Sequence, residues 1–224
     1  MEAGLQKINK RGLVNSASLE PVRLNNMMPL AAKYNADLIA LTVTEQGIPS
    51  TADGRCTVAL DLINAAAERG ISSGSLFLDP LVLPVSADQA GVMQTIESIR
   101  IFKQLCDPAP RTIIGLSNVS NGAPNENRGL INRVFMAMCL GAGLDSAIVD
   151  PLDTELMETL SIVDNRDTST PVGKMLVALY DSVAAMEDFD RSIVDMNDPD
   201  QVAIYKTIQI LSNQIIYAHS YLRV

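Results

Sequence analysis

The chain has 224 residues, 47% hydrophobic and 19% charged, which suits one soluble globular domain with a sizeable core. Its formal charge of −9 comes without a basic stripe, which argues against nucleic acid as a partner, and no apolar run approaches the roughly 18 residues of a membrane span. A lone histidine, His219, argues against His-based triads and His-rich zinc sites, while the scattered Cys56, Cys106 and Cys139, and a start Met1-Glu2-Ala3-Gly4 without secretory character, favour a reducing cytoplasm.

In chain order, short continuous apolar runs alternate with segments of helical periodicity. Leu13-Val14, ending at Asn15-Ser16, reads as the first strand, and Pro21 to Tyr34 as a helix with Val22, Leu24, Met28 and Leu30 on its apolar face. The second strand is Asp37 to Thr42, followed by a helix from Thr57 to Arg69 that stops at Gly70, a natural left-handed cap. Leu76 to Asp79 is the third strand, and Ala90 to Leu105 a helix with Val92, Ile96, Ile99 and Phe102 in register. Thr112 to Ser117 is the fourth strand, Leu130 to Leu140 a helix closed by Gly141-Ala142-Gly143, and Ser146 to Asp150 the fifth strand. Runs that are apolar throughout indicate strands covered on both faces, so the order implies a parallel sheet with right-handed crossovers.

Each strand ends in a polar residue: Asn15, Thr42, Asp79, Ser117-Asn118 and Asp150. Any one of these marks a strand leaving the core; five in succession suggest the active-site rim that α/β folds build at the carboxyl ends of their strands. The C-terminal third differs. Residues 164–200 hold nine acidic and three basic residues. Thr170-Pro171 predicts a helix carrying Val172, Met175, Leu176, Leu179, Val183 and Met186 on one stripe. Asp198-Pro199-Asp200-Gln201 predicts another, with Asp198 as N-cap and an Ile204, Ile208, Leu211, Ile215 stripe. Two helices packed outside the sheet are expected here; such stripes ordinarily face a core, and a partner-binding or dimer surface is the alternative.

Three segments stand out together: Gly12-Leu13-Val14-Asn15-Ser16, then Leu78-Asp79-Pro80-Leu81-Val82-Leu83-Pro84, then Gly115-Leu116-Ser117-Asn118-Val119-Ser120 with Asn127-Arg128-Gly129-Leu130-Ile131-Asn132. In this order and spacing they resemble the pterin-binding TIM-barrel methyltransferases, specifically the methyltetrahydrofolate:corrinoid/iron–sulfur protein methyltransferase family and its demethylase-system relatives. The resemblance runs from Met1 to about Leu160 and resumes near Thr207. It implies transfer of the N5 methyl of methyltetrahydrofolate to the Co(I) centre of a corrinoid protein. By resemblance, Asp79 and Asn15 anchor the pterin, and Asn118 approaches N5 as the catalytic group. Ser117, Asn121 and Arg128 match neighbouring positions of the family loop, although Gly122-Ala123-Pro124 suggests an altered loop length.

The chemistry of these side chains agrees. A pterin's aminopyrimidinone edge offers two adjacent N–H donors that a carboxylate accepts together, and an amide serves both its carbonyl and its ring N–H groups. Asp79 also reads as a turn or capping residue before Pro80, and Arg128 equally as a loop-holding ion-pair residue. An amide is no acid, so an asparagine near N5 would act electrostatically, most strongly in the transition state. The nucleophile would be the corrinoid cobalt on another protein, which accounts for a sequence that offers none.

The family barrel begins with three further strands, which supply an early Asn-rich segment and another pterin-binding Asp. The expected fold is therefore α/β, a partial TIM (β/α)8 barrel of about five parallel strands, as one domain over residues 1–224 with a helical insertion at 161–206. An open sheet should expose an apolar inner face and unpaired edges. Either another polypeptide supplies the missing part, or two copies complement each other as a homo-oligomer, or the chain is truncated, and alone it should bind methyltetrahydrofolate weakly or not at all. Three other readings compete. Dihydropteroate synthase fits poorly, because Leu81-Val82-Leu83-Pro84 replaces a Gly-rich stretch with Phe and Lys. A non-catalytic fragment or subunit binding through the acidic extension is the second. A sugar-phosphate barrel lacks its Gly-rich phosphate cradle.

Overall fold

The computed structural model describes residues 1–223. Among them, helices and strands alternate as α1 (Glu2–Leu5), β1 (Leu13–Ala17), α2 (Pro21–Lys33), β2 (Asp37–Leu41), α3 (Ala52–Ala67), β3 (Leu76–Asp79), α4 (Gln89–Phe102), β4 (Arg111–Gly115), α5 (Asn125–Gly141) and β5 (Ser146–Ile148). Then come α6 (Thr154–Asn165), α7 (Pro171–Ala185) and α8 (Pro199–Leu211). The strands follow sequence order in the sheet, and β1 to β4 pair in parallel. This is the α/β, partial TIM-barrel topology expected from the sequence. Among the described residues no helix is long and apolar enough to cross a membrane.

The chain divides into two compact units, the first being Met1–Leu81 with Glu97–Ile114. In this unit one face of the sheet (Val14, Leu38, Ala40, Leu76, Leu78) packs against Met28 and Ala31 of α2, Val58, Ala59 and Leu62 of α3 and Phe102 of α4. The opposite face forms a second cluster of Ile39, Phe77 and Ile113. Two apolar faces explain why the strands read as continuous runs, and each such side chain contributes about 1.5–3 kcal/mol by leaving water. The expected exposure of the inner face is not found at Ile39, Phe77 or Ile113, which are 2%, 8% and 4% exposed. It is found on the edge strand β1, where Leu13 is 47% exposed. Helix α3 starts five residues earlier than its periodicity predicts, because Thr51 caps it: its Oγ1 accepts the Gly54 N–H at 3.1 Å. Gly70 is left-handed as expected, at φ +74.

The second unit is Val82–Ile96 with the chain from Gly115 onward. Here α5 packs against α6, α7 and α8. Gly141 does more than end α5, since a Cβ there would lie 2.6 Å from the Tyr180 carbonyl oxygen; glycine lets α5 and α7 approach. Three helices follow β5 rather than the expected two. The extra one, α6, begins at its Asp153 cap and runs across residue 161, so the expected start of the insertion falls inside a helix. Helices α7 and α8 begin where their caps predict. Thr170 Oγ1 accepts the Gly173 N–H at 3.0 Å, and Asp198 accepts from Asp200 N–H and from the Gln201 side chain at 3.0 and 2.7 Å. The α8 stripe is shorter than expected, because the helix stops at Leu211 and leaves Ile215 in the tail, 37% exposed. That tail is held by Gln89, whose amide donates to the Ile210 and Ile215 carbonyls and accepts the Tyr217 N–H.

Candidate functional site

In the first unit the sheet itself positions two of the expected residues. Asn15 pairs in register with Ile39, and Ile39 with Phe77; Asp79 follows Phe77 by two residues, at the carboxyl end of β3. Side chains in register across parallel strands share a face, and so do residues two apart on one strand. Asn15 and Asp79 therefore point to the same side of the sheet, two strand spacings or roughly 10 Å apart across it. Their environments differ. Asn15 is exposed on the edge strand, whereas Asp79 is only 8% exposed.

Asp79 is fixed from several directions. The Leu81 N–H donates to its Oδ1 at 2.8 Å, across a turn in which Leu81 takes φ +65. Its carbonyl oxygen accepts both the N–H and the Oγ1 of Thr42, each at 3.0 Å. Thr42 is fully buried, so the polar residue ending β2 serves as a backbone clamp. The turn role of Asp79 is thus realised. It does not exhaust the carboxylate, which has about four lone-pair sites and spends one on Leu81. Burial pushes the carboxyl up from 3.8 to about 6, opposed by the Leu81 N–H and by the positive charge of Arg55.

Arg55 is a residue the sequence reading passed over. It is 0% exposed, in the first turns of α3, and its Nε donates to the Pro49 carbonyl at 3.0 Å. The Thr51 cap that starts α3 early was the available local signal; nothing local marks the burial of the guanidinium.

The remaining expected residues lie in the second unit, in the segment after β4. Leu116–Asn118 forms a 3-10 turn where a continuing strand was expected. Ser117, Asn118 and Asn121 are exposed there. The segment winds tightly, with Val119 N–H donating to the Leu116 carbonyl and Asn121 N–H to the Asn118 carbonyl. Arg128 Nε donates to Ser120 Oγ at 3.3 Å, and Ser120 Oγ to the Ser117 carbonyl at 3.2 Å. Arg128 thereby braces this loop through a hydroxyl, where the sequence left an ion pair and a substrate contact open. The loop after β3 ties in as well: Val85 N–H reaches the Val119 carbonyl and Ser86 Oγ the Asn121 carbonyl, both at 2.9 Å. Asn118 folds back over Gly115, where a Cβ would come within 3.2 Å of its Nδ2. The structure brings Asn15 and Asp79 onto one sheet face, and Ser117, Asn118, Asn121 and Arg128 into one braced loop.

Two of the three thiols are unsuited to act as nucleophiles. Burial pushes Cys56 up to about 11 and Cys139 well above its ordinary value. Among the described residues no cluster of His, Cys, Asp and Glu could hold a metal ion.

The chain is similar to known proteins over the same region. It is 35% identical over 159 residues to the methionine synthases of Mycobacterium leprae and Mycobacterium tuberculosis, which covers 66% of the chain and 13% of each of them. It is 29% identical over 157 residues to the methylcorrinoid:tetrahydrofolate methyltransferase of Eubacterium limosum, covering 69% of the chain and 57% of that protein. The chain thus spans a small part of the first two relatives and little more than half of the third. A family model described as pterin binding enzyme matches residues 1–150. With that match carrying both the Asn15–Asp79 sheet face and the Asn118 loop, the chain belongs to the pterin-binding enzyme family.

Proposed function

We propose that this chain catalyses transfer of the N5 methyl group of methyltetrahydrofolate to the Co(I) centre of a corrinoid carried by a partner protein. The observation that carries this reading is Asp79, a nearly buried carboxylate at a strand end, sharing its sheet face with Asn15. The aminopyrimidinone edge of a pterin suits such a group, because its two N–H donors can satisfy the lone pairs that Leu81 leaves open. Asn15 would accept and donate at the neighbouring ring positions, and Ser117, Asn121 and Arg128 would line and brace the substrate. The names of the relatives, methionine synthase and methylcorrinoid:tetrahydrofolate methyltransferase, support methyl and corrinoid chemistry for this chain.

When bound, the corrinoid supplies the metal centre that takes the methyl group. The protein's own residues deal with the leaving nitrogen. As the N5–C bond breaks, its electron pair stays on N5, and the Asn118 amide strengthens its hydrogen bond to that nitrogen while a proton from solvent completes the product. An amide at this place stabilises developing charge without giving up a proton, so its effect falls on the rate rather than on binding.

The reading treats the chain as one cytoplasmic pterin-binding domain over residues 1–224 with a helical insertion at 161–206. The exposed edge of β1 would pair with strands from a second copy or a complementing chain. The same edge favours a second reading, in which the chain binds without turnover, since Leu13 and Asn15 stand exposed. Stopped-flow mixing with methyltetrahydrofolate and a reduced corrinoid protein separates the two. Decay of the Co(I) absorbance supports the enzyme. Folate binding without decay supports the second reading, and neither signal refutes both.

A further inference from the structure

Helix α5 begins without a side-chain cap, because the residue before it is Pro124. The first turn of a helix has N–H groups without intrahelical partners, and it frays when no cap satisfies them. This turn, Asn125 to Arg128, nevertheless carries the guanidinium that braces the Asn118 loop through Ser120 Oγ. The C-terminal tail holds it, and every contact involved lies in the second unit. Asn127, 4% exposed, donates its side-chain amide to the His219 carbonyl at 3.0 Å. Beside it Glu126 pairs with Arg223 at 2.9 Å, but both side chains are exposed and such a pair contributes little. The restraint therefore rests on Asn127. The tail is itself tied on either side of His219. Gln89, the first residue of α4, bonds Ile210, Ile215 and Tyr217, while the buried Tyr221 hydroxyl lies 2.9 Å from Thr207 Oγ1 of α8.

We propose that Asn127 is a positioning residue for methyl transfer: by pinning the uncapped first turn of α5 to the tail, it keeps Arg128 on Ser120 and so holds the loop that presents Asn118. This rests on the role given to Asn118 above. The relay is short. Asn127 adjoins Arg128, Arg128 Nε donates to Ser120 Oγ at 3.3 Å, and Ser120 Oγ donates to the carbonyl of Ser117, the residue before Asn118. The tail reaches the same loop from a second side. Gln89 starts α4 directly after the segment in which Val85 N–H and Ser86 Oγ bond the Val119 and Asn121 carbonyls. One strap thus restrains the starts of both helices whose preceding loops meet around Asn118.

The test follows the Asn118 side-chain amide by NMR in the ligand-free protein, together with single-turnover methyl transfer from methyltetrahydrofolate to a reduced corrinoid protein. Asn127→Leu keeps the shape of the side chain and removes the donor. It should shift the Asn118 signal and slow transfer about tenfold, with folate affinity changed by less than about twofold. A merely structural Asn127 would lower the unfolding midpoint and leave signal and rate alone while the chain is folded. Ser120→Ala cuts the relay at its other end and should give a similar loss. The double substitution should then be little slower than either single one, because both act through the same contacts. Losses that multiply in full overturn the relay. An unmoved Asn118 signal in folded Asn127→Leu overturns the proposal, whatever the folate does. A shifted signal in a protein whose wild type transfers no methyl group overturns the methyl-transfer reading instead, and the positioning role with it. Should Asn127→Leu fail to fold, Gln89→Ala frees the tail from the α4 side and should move the Asn118 signal and slow transfer in the same sense. A freed tail with Asn118 unmoved counts against the proposal.

Discussion

Asp79 accepts the N–H of Leu81 at 2.8 Å while Leu81 sits in the left-handed region at φ +65. A branched side chain in that region is strained by about 1–2 kcal/mol, and the bond aims one carboxylate oxygen by holding the turn that follows it. Leu81→Gly should relieve the strain and change stability by less than about 1 kcal/mol, whereas Leu81→Val should destabilise by about 1–2 kcal/mol. Urea unfolding of the two variants checks the contrast.

On the proposed function, the elevated Asp79 carboxyl should give stability and ligand binding opposite pH dependences. Its folded value of about 6 lies above an ordinary 3.8, so the fold prefers the protonated form. That stabilisation is complete below about pH 4 and is lost as the pH rises through about 6, amounting to roughly 3 kcal/mol. Pterin affinity, which needs the carboxylate, should instead rise over the same interval. In Asp79→Asn both dependences should flatten. Denaturant curves and folate titrations between about pH 4 and 8 measure the pair.

Asn118 lies so close to Gly115 that an added methyl group would crowd its Nδ2 at 3.2 Å. Gly115→Ala should shift the amide by a few tenths of an ångström and slow methyl transfer about tenfold, with folate affinity little changed. Asn118→Ala should cost about 10²–10³ in rate. Single-turnover kinetics at saturating folate separate these from binding effects.

Gln89 ties the C-terminal tail by three bonds, to the Ile210 and Ile215 carbonyls and from the Tyr217 N–H. Gln89→Ala should release it and cost about 1–3 kcal/mol. Hydrogen exchange should show faster loss of protection at the Tyr217 amide than in α7, which none of these three bonds joins.

Strands were the most legible part of this fold, because cover on both faces makes them unbroken apolar runs; β3 is the same four residues by either route. Helix starts were legible where a side-chain cap stands alone before the apolar pattern, as at Thr170 and Asp198. They were missed where the first turn is polar, as in Ala52-Asp53-Gly54-Arg55, which carries no apolar periodicity. Helix α6 had both an Asp153 cap and a stripe at Leu156, Leu160 and Val163, yet it straddles the point where the resemblance fades near residue 160. The motif residues stood out as polar groups ending apolar runs, and the structure puts Asn15 and Asp79 on one sheet face. Arg55 was not, since its burial at the start of α3 and its bond to the Pro49 carbonyl exist only after packing.

The most direct measurement follows the side-chain amide of Asn15 and the carboxyl of Asp79 by NMR as methyltetrahydrofolate is added at about pH 7.5, where Asp79 is ionised and even weak binding is visible. Both signals should move together and saturate, and Asp79→Asn should abolish the movement of Asn15. If both stay in place while signals elsewhere shift, or if Asp79→Asn binds as tightly as the unaltered chain, the pterin is not held by this sheet face.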